Sequence, residues 1–258
     1  MNIIGIIPAR MASSRLPNKP MADILGMPMI GHVYFRSKMS TLLNEVYIAT
    51  CDQEIMDYAA SIGGKAIMTA DTHERASDRT AEALLKIEET TLQKVDIVVM
   101  IQGDEPMVTP EMISASIEPL IEDPSINITN LMASMNSIEE HKDPAEVKVV
   151  VDKNNFALYF SREPIPSRKK GATNIPMLKQ VCIIPFRRDF LLEYNQMEQT
   201  PLEIIESVDM NRLLENDIKI KMVLREEETY SVDTDADLKN VNKRMQNDPL
   251  ILKYLTKK

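Results

Sequence analysis

Short apolar runs alternate with amphipathic stretches through the first half of this chain, and that alternation restricts the fold more than any other feature. Strand candidates lie at residues 3–7, 45–50, 66–69 and 96–101. Between and after them the spacing predicts helices over 28–39, 52–61, 79–89 and 110–122. The first of these helices places Met29, Ile30, Val33, Tyr34 and Ser37 near one face. Asp52 is expected to cap the second, Gly63 and Gly64 to end it, and Pro110 to open the fourth. A series of this kind requires a parallel sheet with helices on both faces. The pattern then changes. Strands are expected at 127–134, 147–151, 156–160 and 180–186, with a hairpin turn at Lys153-Asn154-Asn155. A helix over 201–215, a strand over 218–224 and a last helix capped by Asp235 follow. The expected fold is α/β: a mostly parallel sheet flanked by helices, with an inserted mixed or antiparallel region at 127–186, in one domain spanning 1–258.

Composition removes several function classes. The net charge of −9 argues against a general nucleic-acid surface. No stretch approaches the roughly 20 apolar residues of a membrane span, and the N-terminus lacks a signal pattern, so a cytoplasmic protein without a membrane partner is expected. Cys51 and Cys182 form no ligand pattern and read as small core residues. His32, His73 and His141 have no ligand spacing and read as surface or satisfied core residues.

Three segments carry candidate chemistry. The first strand stops at Pro8 and empties into a loop holding Arg10, Arg15 and Lys19 but no acid, in a chain with 39 acidic and 30 basic residues. Ligands of open α/β sheets sit beyond the carboxyl ends of strands, so this loop suits a polyanion such as a nucleoside triphosphate. A solvated basic loop is the plainer alternative. Asp104 follows the fully apolar strand in Gln102-Gly103-Asp104-Glu105-Pro106, where it reads as a hard-cation ligand or as turn chemistry. Asp233 lies just before the last helix; Asp235 and Asp237 are explained by helix capping and the helix dipole, whereas Asp233 is not. Asp104 and Asp233 together suit Mg²⁺ held against triphosphate oxygens. Ala76-Ser77-Asp78-Arg79, ahead of a predicted helix, reads either as a cap or as a reader of a base edge.

Taken in order, residues 7–20, 102–106, 157–162, 201–206 and 232–238 resemble the 3-deoxy-manno-octulosonate (Kdo) cytidylyltransferases, within the wider group that makes CMP-activated acidic sugars. The resemblance spans roughly residues 1–245. It implies a glycosyltransferase-A-like fold, usually a homodimer through the inserted sheet. It also implies CTP and an acidic sugar as substrates, Mg²⁺ as cofactor and pyrophosphate as product. By this resemblance Arg10, Arg15 and Lys19 hold the phosphates, and Pro8, Ala9, Ser77, Arg79 and Gln102 surround the cytidine. Asp104 and Asp233 bind Mg²⁺, Arg10, Lys19 and Asp104 are the catalytic set, and Arg162, Gln180, Glu206 and Asp209 lie on the sugar side. The departures also concern the sugar: Gln180, Ile184 and Phe186 stand where the family usually shows a histidine and two tyrosines, and Asp209-Met210 replaces Glu-Gln. A pocket that exchanges hydrogen-bonding groups for apolar ones changes what it accepts. The acceptor expected from the resemblance is therefore Kdo or a related 3-deoxy-ulosonic acid. The rival readings are a transferase acting on a phosphate or phosphonate acceptor and a catalytically silent nucleotide-binding scaffold.

Overall fold

The computed structural model describes residues 1–13, 15–169, 171–172 and 174–255. Ser14, inside the cationic loop, lies outside the described residues. The chain forms two compact units, one of Met1–Ser114 with the chain from Thr229 onward, the other of Ala115–Glu228.

The first unit is built on four parallel strands: β1 (Ile3–Ala9), β4 (Glu45–Thr50), β5 (Lys65–Met68) and β6 (Ile97–Ile101). A two-residue pair, β2 (Asp23–Ile24) and β3 (Met27–Pro28), lies between β1 and β4 in sequence. The parallel strands are adjacent in the order β6-β1-β4-β5. Burial along β1, β4 and β6 is almost unbroken. Successive strand residues face opposite sides, so unbroken burial means both faces are covered. The covering helices are α1 (Met29–Lys38), α2 (Gln53–Ser61) and α3 (Ala76–Thr91). After β1 the chain builds outward through β4 and β5 and then returns to β1's other side as β6. That reversal makes the carboxyl end of β1 a topological switch point, where the loop after β1 and the loop after β6 must meet.

All five residues expected on one face of α1 are buried, but so are Gly31, His32 and Arg36. The polar pair is satisfied from the far end of the chain. His32 Nδ1 meets the Tyr254 hydroxyl at 2.8 Å, and Arg36 pairs with Asp248. The last helix, α9 (Asp235–Met245), starts one residue earlier than the sequence suggests. Thr234 is its cap and forms a reciprocal capping box with Asp237, leaving Asp235 as the first helical residue. Asp52 does precede α2, but its carboxylate serves elsewhere. Gly63, at φ +67°, ends α2 as expected.

The helix α4 (Pro110–Glu122) leads into the second unit, whose sheet has the order β12-β7-β10-β8-β9. These strands are β7 (Thr129–Ser134), β8 (Lys148–Val151), β9 (Ala157–Ser161), β10 (Leu178–Val181) and β12 (Lys221–Arg225). β12 runs parallel to β7 and the other pairings are antiparallel, so the sheet is mixed. Two expected elements are broken. The run 180–186 is not one strand: it bends at Cys182, and β11 (Ile183–Arg187) lies outside this sheet. The run 201–215 is two helices, α7 (Pro201–Glu206) and α8 (Met210–Glu215), because Ser207 adopts a left-handed φ of 52°. Helices α5 (Ile138–Lys142) and α6 (Arg188–Gln196) complete the unit. Both cysteines are half-buried rather than core residues. Among the described residues no helix is long and apolar enough to cross a membrane.

Candidate active site

The cationic loop is fastened at several points before any ligand is considered. Pro8 pairs only toward β4, since the pairing of β1 with β6 ends at Ile6, and the missing N–H therefore costs no ladder bond on the β6 side. The Met11 amide donates to the Asp52 carboxylate at 2.8 Å. Leu16 is buried in an apolar cluster with Met29, Val232, Met245 and Tyr254. Asn18, at φ 57°, turns the chain into the short helical turn Lys19–Met21. Lys19 thereby points back over the end of the sheet.

Opposite it stand two carboxylates. Asp104 follows β6 through Gly103, where a Cβ would lie 3.2 Å from Ile30 Cδ1 and 3.3 Å from the Pro8 carbonyl, so glycine lets this turn approach β1 closely. Asp233 precedes α9, its amide donating to Asp237 at 3.1 Å. The Lys19 ammonium donates to Asp104 Oδ2 at 2.7 Å and to Asp233 Oδ1 at 2.8 Å. Arg15 reaches the same Asp233 oxygen at 3.0 Å from a much more exposed position. The Lys19 side chain is only 13% exposed. Burial disfavours its charge, but the Asp104 and Asp233 carboxylates outweigh that and hold its pKa above the ordinary lysine value.

These groups line one cavity of about 360 Å³. Pro8, Ala9, Arg10, Arg15, Lys19, Arg79, Gln102, Asp104 and Asp233, nine residues singled out from the sequence, all reach it. Ser77 does not line it. α3 begins at Ala76, so Ser77 falls inside the first turn and is fully buried instead of lying ahead of the helix. Arg79 sits two residues further on, with 3% exposure. Its Nη1 donates to Thr69 and to the Ala70 carbonyl, whereas its Nη2 is buried and has no protein partner among the described residues. A buried guanidinium donor without an acceptor costs free energy unless a ligand supplies one. Sequence reasoning missed Ser13, His73, Glu74 and Arg75, which also line the cavity. The signal for the last three was their position beside the segment already singled out.

The residues assigned to the sugar side belong to the second unit. Arg162 is engaged throughout its guanidinium: Nε donates to the Glu206 carbonyl, Nη1 to Pro144 and Nη2 to Ser207, at 2.8, 2.8 and 3.3 Å. The Glu206 carboxylate accepts from the Tyr159 hydroxyl, the Ser161 hydroxyl and the Arg162 amide. Burial works against the Glu206 charge, yet these donors keep its pKa below the usual carboxylate value. Gln180 donates to Asn130 at 2.6 Å. Asp209 takes the cap position of α8, and its carbonyl accepts from Tyr194. Ile184 and Phe186 are buried, Phe186 stacking on Tyr194 with ring centroids 6.0 Å apart.

A family profile described as cytidylyltransferase matches residues 4–220. The chain belongs to the cytidylyltransferase family. A 3-deoxy-manno-octulosonate cytidylyltransferase from Geobacter metallireducens is 39% identical over 255 residues, covering 95% of this chain and 98% of the relative. One from Fusobacterium nucleatum is 42% identical over 241 residues, covering 93% and 96%. Among solved structures, a CMP:2-keto-3-deoxy-manno-octonic acid synthetase complexed with CTP superposes with a TM-score of 0.87 at 38% identity, covering 95% of this chain and 99% of the other. The α/β nucleotidyltransferase fold of this cytidylyltransferase is thus shared along almost its whole length.

Proposed function

We propose that this cytidylyltransferase transfers CMP from CTP to the anomeric hydroxyl of 3-deoxy-manno-octulosonate and releases pyrophosphate. The observation that carries this reading is Lys19 held between Asp104 and Asp233, in a cavity that Arg10 and Arg15 also line. The sugar oxygen attacks the α-phosphorus in line, a new P–O bond forms and the bond to the bridging oxygen of pyrophosphate breaks. The hydroxyl proton leaves to solvent. Little covalent chemistry falls to the protein in such a transfer, so positioning and charge neutralisation dominate. Arg10, Arg15 and Lys19 would hold the phosphates, and Lys19 would neutralise charge building on the leaving group.

The unpaired Arg79 donor, in the cavity that Gln102 also lines, supplies what a cytosine carbonyl requires, and Pro8 and Ala9 would pack on the nucleoside. Asp104 and Asp233 form a hard-oxygen donor set of the kind Mg²⁺ uses together with substrate phosphates and water, so they would hold the ion. Bound there, Mg²⁺ supplies positive charge to the triphosphate oxygens. By the family resemblance, Arg162, Gln180, Glu206 and Asp209 would serve the acceptor. Arg162 and Glu206 brace each other, so their part in acceptor binding would be to position neighbouring groups. The exposed Leu158, Ile204, Ile205 and Leu224 of the unit carrying the mixed sheet support a homodimer formed through that unit.

The exchange of hydrogen-bonding groups for Ile184 and Phe186 supports a second acceptor, a related 3-deoxy-ulosonic acid with fewer groups to be hydrogen-bonded. Pyrophosphate release from each of four NTPs with a panel of sugar acids and Mg²⁺ tests both. Release with CTP and a 2-keto-3-deoxy acid is expected. Release with a phosphorylated acceptor, or tight CTP binding with no release from any acid, would replace this reading.

A further inference from the structure

Lys19 holds the place a divalent cation needs. Its Nζ bonds one oxygen of each carboxylate at 2.7 and 2.8 Å, and its side chain is largely withdrawn from solvent. Mg²⁺ takes carboxylate oxygens at about 2.0–2.1 Å and keeps several waters. Ammonium and ion therefore cannot share these two oxygens. Pulling Lys19 away with nothing in exchange leaves two anionic groups facing each other in a partly buried gap, and a lone aquo ion offers the displaced ammonium no new partner. A polyphosphate does, because the cavity that holds Lys19 also presents Arg10 and Arg15, and the three cations face the same space. Arg15 differs from Lys19. It is 59% exposed and bonds Asp233 from the rim, so its departure is cheap.

We infer that Lys19 is a resident counter-ion that keeps the Asp104–Asp233 pair closed to free divalent cations until a triphosphate draws the ammonium away. Metal and triphosphate then bind as a coupled pair, each raising the affinity of the other. The inference rests on the cytidylyltransferase reading and deepens it.

The test uses Mn²⁺ alone, without nucleotide, followed by electron paramagnetic resonance of the free ion and by thermal unfolding. Lys19→Met is expected to bind Mn²⁺ at least about tenfold more tightly than the unaltered protein. Added Mn²⁺ should raise the midpoint of that variant while leaving the unaltered protein's midpoint in place. Arg15→Ala should change Mn²⁺ affinity by less than about threefold. Lys19→Gln, which keeps a hydrogen-bonding side chain, gives the same readout should Lys19→Met fail to fold. Equal Mn²⁺ affinity in the unaltered protein and in the folded Lys19 variants overturns the inference. CTP-dependent pyrophosphate release by the unaltered protein is measured separately. Release together with equal affinities removes the counter-ion role alone, whereas no release with any acceptor removes the underlying reading.

Discussion

The Val232 amide donates to the Asp104 carbonyl at 3.0 Å. The two turns that carry Asp104 and Asp233 are therefore stitched together by main chain, and their side chains are left to face Lys19. Geometry of this kind separates the chemistry of the carboxylates from the stability of the loops.

Asp104→Ala and Asp233→Ala should each reduce turnover by about a hundredfold or more, since charge stabilisation of a transferring phosphoryl group is lost. Stability should change little, by about 1 kcal/mol or less, because both carboxylates are partly exposed and the main-chain stitch survives. Steady-state pyrophosphate release and thermal unfolding measure the two effects. Near-normal turnover in either variant would take that residue out of the proposed metal set.

Gly31 is required by a neighbour, not by its own backbone. A Cβ there would lie 2.1 Å from the Tyr58 hydroxyl oxygen and 3.0 Å from Met27. That hydroxyl is buried and has no partner among the described residues, and burial pushes its pKa up to about 12. Gly31→Ala should cost about 1–3 kcal/mol through overpacking. Tyr58→Phe removes the clashing oxygen, so it should be nearly neutral alone and should recover much of the loss in the double variant. Denaturant midpoints of the four proteins form the cycle; strictly additive losses would contradict the clash.

His32 makes stability depend on pH. Its Nε2 meets the Ile24 carbonyl at 2.8 Å, so the proton sits there and Nδ1 accepts from Tyr254. Arg36 Nε already donates to that hydroxyl. Burial first, and the nearby Arg36 charge in addition, push the His32 pKa down to about 4. The unfolded chain takes up this proton near pH 6.5 and the folded one only near 4. The contribution is whole above pH 6.5 and is lost as pH falls toward 4, in total on the order of 3 kcal/mol. The slope of unfolding free energy between pH 6.5 and 4 should flatten in His32→Gln; an unchanged slope would refute the assignment.

Arg212 and Glu203 form a pair with 1% and 4% side-chain exposure. Arg212 also donates to the carbonyls of Tyr194 and Met197 and lies over the Tyr194 ring. Removing one member strands a buried charge, so Arg212→Met should lose about 3–5 kcal/mol. A midpoint within a degree of the unaltered protein would show that the pair is not buried in solution.

Much of the architecture is legible in the residue pattern. The parallel strands and α1, α2 and α4 fall within a residue or two of where apolar spacing, Gly63 and Pro110 place them. Elements were misread where a single local geometry overrides a continuous pattern. The left-handed Ser207 splits 201–215, a bend at Cys182 splits 180–186, and Thr234 displaces Asp235 as the cap. α3 starts three residues earlier than its spacing suggests, which puts Ser77 inside the first turn and buries it.

The residues alone determined that strands would alternate with helices, that cations would collect after the first strand, and that Asp233 had no capping role. These follow from periodicity and short-range chemistry, which act within a few neighbours along the chain. Only the tertiary structure decided that Lys19 bonds Asp104 and Asp233, separated from it by 85 and 214 positions, and that Arg36 and His32 are satisfied by Asp248 and Tyr254. Strand order brings Asp104 to Lys19, and packing of the C-terminal segment in the first unit's apolar cluster brings the others; both depend on how whole faces pack rather than on any local signal.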